Sequence, residues 1–98
     1  MGMHDLSFIK TPAERCQEVA ARMKARRKAM GFTQEQLAGK SGVSLGSLRR
    51  FEQTGEISFH SLARIAQALE GEADLDELFA RRYYRSVQEA LDEQRSRA

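Results

Sequence analysis

Two helix-opening signals, Thr33 and Ser44, stand close together with Gly42 between them, and this spacing constrains the fold more than any other feature. Thr33-x-x-Gln36 is a capping box, in which the threonine side chain and the glutamine side chain satisfy each other's backbone amides. It opens a short helix that buries Leu37 and Ala38. Gly42 supplies the left-handed backbone that a sharp turn needs. Ser44 then caps a second helix, running to about Gln53, with Leu48 and Phe51 facing inward and Val43 packing at the turn. Gly55 ends it. Two helices joined this tightly meet at a steep angle, so the rest of the chain must pack around that corner.

The flanking sequence supplies more helices and no strands. Residues 1–10 read as an arm, with Leu6, Phe8 and Ile9 as anchors. Thr11-Pro12-Ala13-Glu14 combines a cap, a first-turn proline and a capping box, and predicts a helix over about Pro12–Met30 that Gly31 stops. Its apolar stripe is Cys16, Val19, Ala20, Met23 and Met30. Ser58 opens a fourth helix whose inner side is Phe59, Leu62, Ile65, Ala66 and Leu69, with Gly71 as its stop. Asp74-x-x-Glu77 is the expected cap of a fifth, with Leu75, Leu78 and Phe79 apolar. Beyond it the apolar phase runs on through Tyr83, Val87, Ala90 and Leu91, as one long helix or a sixth short one, with Glu93 to Ala98 frayed. The expected class is all-α: an arm over 1–10, a helical domain over 11–80 and a helical extension over 81–98.

Charge is lopsided although the net value is only +2. From Arg22 to Arg50 there are eight bases (Arg22, Lys24, Arg26, Arg27, Lys28, Lys40, Arg49, Arg50) and a single acid, Glu35. Glu52 to Phe79 reverses this, with seven acids against Arg64. A basic face attracts phosphates. No apolar run approaches the roughly 20 residues that span a bilayer. Met1 to Asp5 lacks the basic and apolar regions of a signal peptide. The single Cys16 cannot form an internal disulfide, which fits a reducing cytoplasm, and it is expected to pack as a small apolar residue. His4 is isolated, and no nucleophile with a matched base, phosphate loop or cluster of metal ligands is legible, so neither catalysis nor a cofactor is expected.

A helix-turn-helix of this kind pushes its second helix into the DNA major groove. Arg27…Gly31-Phe32-Thr33-Gln34-x-x-Leu37-Ala38-x-x-Ser41-Gly42-Val43-Ser44…Leu48-x-x-Phe51-Glu52…Gly55 resembles the lambda repressor/Cro (XRE) family over about residues 15–80. The resemblance implies a five-helix bundle and a dimeric transcriptional repressor. It also implies that Gln34, beside Thr33, grips a phosphate and braces the recognition helix, and that Arg27 and Glu52 tie the first helix to the third. Turning about 100° per residue, the third helix presents Gly46, Arg49, Arg50 and Gln53 away from Leu48 and Phe51, with Leu45 and Ser47 flanking. An arginine can donate twice to the O6 and N7 of guanine, and Leu45 can touch a thymine methyl. Ser44 and Ser47 can bond phosphate or a base edge. Arg49 and Arg50 read bases or bind phosphates only. Where many relatives place a polar reader, this chain has Leu45 and Gly46, which puts its sequence preference in question. His60 is either a phosphate contact or an exposed helix histidine.

The tail carries Arg81-Arg82-Tyr83-Tyr84-Arg85 and apolar residues Phe79, Tyr83, Val87 and Leu91 at every fourth position. Such a stripe folds back on its own domain, forms a homodimer interface or grips another protein. The segment from Ser44 to Phe59 also looks like the small regulators that accompany HipA-type kinases as antitoxins. That resemblance implies autorepression of an operon and a kinase-type toxin partner. Two functions therefore compete at this level: an autoregulating dimeric repressor on an inverted-repeat operator in double-stranded DNA, and a protein-interaction module that neutralises a kinase, with DNA binding secondary.

Overall fold

The computed structural model describes residues 9–97, and within them six helices and no strand. Helix α1, Pro12–Ala29, opens on the Thr11–Glu14 capping box, with both reciprocal bonds made at 3.1 and 2.9 Å. Helix α2 spans Gln34–Ser41 and α3 spans Leu45–Thr54. Thr33 Oγ1 accepts from the Gln36 amide and Gln36 Oε1 accepts from the Thr33 amide. Gly42 (φ 74°) closes α2 by donating its amide to the Ala38 carbonyl. Helices α4, Phe59–Ala68, α5, Glu72–Asp76, and α6, Val87–Arg97, complete the order.

The core sits where α1, α2, α3 and α4 converge. Ala20, Leu37, Leu48, Phe51, Ile65 and Leu69 are almost fully buried, with Val43 closing the turn. Helix α3 packs chiefly on α1 and α2, and α4 on α2 and α5. Gly55 shows how close the α1–α3 approach is. Its φ is +82°, and a Cβ there would lie 2.8 Å from both the Cys16 carbonyl carbon and the Gln17 nitrogen. No other residue type fits that position without moving α1. The fold is the lambda-repressor-like helical bundle, with α6 added beyond it.

Several sequence expectations are corrected. Cys16 is exposed, because the α1–α3 seam is closed by the backbone at Cys16 and by Gly55, not by the thiol. Phe59 is 60% exposed: it is the first residue of α4, and its turn projects past the core. Helix α4 leaves its helical path at Leu69, and Glu70 (φ 58°), not Gly71, takes the left-handed step. Gly71 is buried and precedes α5, which begins at Glu72, so Asp74 lies inside that helix and caps nothing. Asp74 instead pairs with Arg26 at 3.2 Å. Of the two alternatives for the apolar phase after α5, the separate sixth helix is the one found: Phe79 adopts φ 57°, the chain stays non-helical until Val87, and α6 follows. Of the final segment, α6 runs helical through Glu93 to Arg97, and Ala98 lies outside the described residues. Of the arm's anchors, Ile9 is 55% exposed, while Leu6 and Phe8 lie outside the described residues.

Candidate nucleic-acid interface

The outer face of α3 is held in place from within by a buried ion pair. Arg27 on α1 meets Glu52 on α3 through two bonds, Nε to Oε2 at 2.8 Å and Nη2 to Oε1 at 3.1 Å. The two side chains are only 8% and 3% exposed. Arg27 Nη1 also donates to the Phe32 carbonyl at 2.8 Å, which fixes the α1–α2 corner. Gln34 Nε2, from the first turn of α2, donates to Glu52 Oε1 at 2.9 Å. One carboxylate therefore gathers α1, α2 and α3. Burial pushes the Glu52 carboxyl upward, but the hydrogen bonds from Arg27 and Gln34, with the charges of Arg27 and Lys24, outweigh it and hold the group below the usual carboxylate range.

Beyond that anchor the network reaches solvent. Gln34 Oε1 accepts from Arg49 Nε at 3.3 Å, and Arg49 Nη2 donates to Glu35 Oε1 at 3.0 Å. On the other flank, Arg50 Nη2 donates to Glu56 Oε1 at 2.8 Å. Ser44 Oγ accepts from the Ser47 amide as the α3 cap and donates to Ser47 Oγ at 2.9 Å. Thr33, Ser44, Gly46, Ser47, Arg49, Arg50 and Gln53 are exposed, and Gln34 and Leu45 are half-buried. The first turns of α2 and α3 thus share one side of the molecule, with the two arginines on it. Lys40 lies 5.0 Å above the Phe32 ring at the far end of α2, adding positive charge there. Gly46 has no atom within 4 Å of where a Cβ would stand, so this part of α3 is open. His60 is exposed.

Sequence reasoning did not find the carboxylates that hold the arginines. Glu35 had a signal, as the lone acid among eight bases, but its pairing depends on the crossing of α2 and α3. Glu56 gave none, because it sits in the loop after Gly55. Among the described residues no cluster of His, Cys, Asp or Glu could hold a metal ion, and no helix is long and apolar enough to cross a membrane.

A corner of two capped helices, braced by a third and presenting arginines outward, is the arrangement of a DNA-binding transcription regulator. The chain belongs to the XRE-type helix-turn-helix family, whose profile matches residues 23–75, more than half of its length. The match runs from the middle of α1 into α5 and ends before the tail. No curated protein and no solved structure matches the chain.

Proposed function

We propose that this chain is an autoregulating dimeric repressor that lays α3 into the major groove of an inverted-repeat operator. Two half-sites would then lie about one helical turn, roughly 34 Å, apart. The observation that carries this reading is the division of α3: Leu48 and Phe51 are sealed inside, while Ser47, Arg49, Arg50 and Gln53 are exposed to solvent on the opposite side. Thr33 and Gln34 at the start of α2, with Ser44, would hold phosphates, and Leu45 and Gly46 would lie against the bases. The functional units are the arm over 1–10, the DNA-binding domain over 11–80 and the extension over 81–98, in a cytoplasmic protein. Replacing both Arg49 and Arg50 with alanine should weaken binding to the promoter of its own operon at least about tenfold. Unchanged affinity and preference would remove α3 from this role.

The dimer is supported by α6. Val87 and Leu91 are 77% and 44% exposed, on a helix whose acids Glu89, Asp92 and Glu93 precede Arg95. Two copies laid antiparallel would cover the apolar strip and set the acidic half of one against the Arg95 end of the other, as a two-fold interface requires. Leu91→Asp should convert the dimer to monomer in sedimentation. The second reading, an antitoxin that grips a kinase-type toxin, draws on the same uncovered strip. A pull-down of the adjacent gene's product with and without residues 81–98 separates the two: loss of that product with the tail favours the antitoxin.

A further inference from the structure

Both arginines on the outer face of α3 are already paired, each with a carboxylate from a neighbouring segment. Arg49 is held by Glu35 of α2 at 3.0 Å, and Arg50 by Glu56 of the following loop at 2.8 Å. All four side chains are between 51% and 67% exposed, and apart from the Gln34 bond to Arg49 these ion pairs are what holds the two guanidinium groups. Exposed pairs of this kind add little to folding. Their position gives them another consequence.

We propose that Glu35 and Glu56 are specificity-determining residues, resident counterions that suppress sequence-independent DNA binding by occupying Arg49 and Arg50. The proposal rests on the reading that α3 faces DNA. Sequence-independent binding comes almost wholly from cations that replace the counterions of the phosphates. An arginine neutralised by its own chain has less to offer a phosphate, and its carboxylate is a like charge beside the backbone. Contacts to base edges add a term that unrelated DNA lacks. Weakening the charge term alone therefore widens the gap between the operator and other sequences. The geometry keeps the readers usable. Arg49 spends Nε on Gln34 and one Nη2 hydrogen on Glu35, and among the described residues its Nη1 has no hydrogen-bond partner. Arg50 spends a single Nη2 hydrogen on Glu56. Each guanidinium thus keeps an edge open to a base while its charge is met from the side.

The test compares wild type, E35Q/E56Q, R49A/R50A and the quadruple variant on two duplexes of equal length. One is selected from a random pool and the other is unrelated in sequence, both titrated across a range of salt. Glutamine keeps the acceptor oxygen and removes the charge. E35Q/E56Q should bind the unrelated duplex about tenfold tighter, steepen its dependence of log K on log salt by between about one and two, and lower the preference for the selected duplex. The gain should vanish in the R49A/R50A background. No gain, or the same gain in that background, overturns the proposal, since the acids would then not act through the arginines. If R49A/R50A alone binds both duplexes as wild type does, it is the placement of α3 against DNA that fails.

Discussion

Helices α3 and α6 are nearly the same length, 10 and 11 residues, and both open on a serine whose hydroxyl accepts a backbone amide, Ser44 from Ser47 and Ser86 from Glu89. Both carry an apolar strip at helical spacing. Their surroundings differ completely. The Leu48 and Phe51 side chains of α3 are 1% and 2% exposed, whereas Val87 of α6 is 77% exposed. Helix α6 takes part in none of the principal helix packings, and Arg82–Glu93, Arg85–Glu89 and Arg95–Asp92 pair within the tail itself. Local signals thus specify a helix and its apolar side equally well in both places. Whether that side is covered is decided by the packing of the whole chain, which encloses it in α3 and leaves it open in α6.

The largest expected effects lie on the α3 side of this contrast. Phe51→Ala removes a fully enclosed ring and should cost about 3–5 kcal/mol of stability, measured by chemical denaturation. Val87→Ala in α6 should shift the same transition by less than about 0.5 kcal/mol in a monomeric background such as Leu91→Asp. An equal loss at both positions would mean that α6 is part of the folded core. Next comes Glu52→Ala, which strands the buried Arg27 guanidinium and should cost about 3 kcal/mol. The same pair sets an acid limit. Because the Glu52 carboxyl is held below its ordinary value of 4.5, its contribution is complete above that pH and is lost as pH falls through the lower native value. The thermal midpoint should therefore drop on acidification below about pH 4.5, and Glu52→Gln should flatten that part of the curve.

What could be read in the sequence follows the same division. The caps at Thr11, Thr33, Ser44 and Ser58 are local chemistry, decided within four residues, and each is found where its neighbours imply. Leu37, Leu48, Phe51, Ile65 and Leu69 follow from helical period and are buried. Phe59 and Cys16 obey the same period and are exposed, because period defines a side and not the depth at which a partner helix meets it. The breaks on either side of α5 turn on left-handed backbone at Glu70, before it, and Phe79, after it, residues whose types give no warning of it. At the candidate site, the exposed residues of α3 follow from rotation about its axis. The ties from Arg49 to Glu35 and from Arg50 to Glu56 do not, since they depend on how α3 lies against α2 and on where the loop after Gly55 turns.

The smallest effect sharpens the contrast between the helices most directly. Gly46 lies inside α3 on its exposed side, with no positive φ and nothing within 4 Å of a Cβ built there. Alanine should fit without displacement and recover the helix penalty of glycine, about 1 kcal/mol. That gain registers in the global transition only because α3 cannot form or melt apart from the bundle, its inner residues being shared with α1 and α2. Gln88 of α6 offers the reverse substitution at an exposed helical position. Gln88→Gly carries a helix penalty of similar size, yet in the monomeric background it should leave the global midpoint unmoved, because α6 unfolds on its own. Faster amide exchange confined to residues 87–97 would record the cost where it falls. A rise in stability for Gly46→Ala together with a silent Gln88→Gly identifies α3 as part of the cooperative unit and α6 as an appendage to it. A global loss for Gln88→Gly would show instead that the tail is coupled to the bundle.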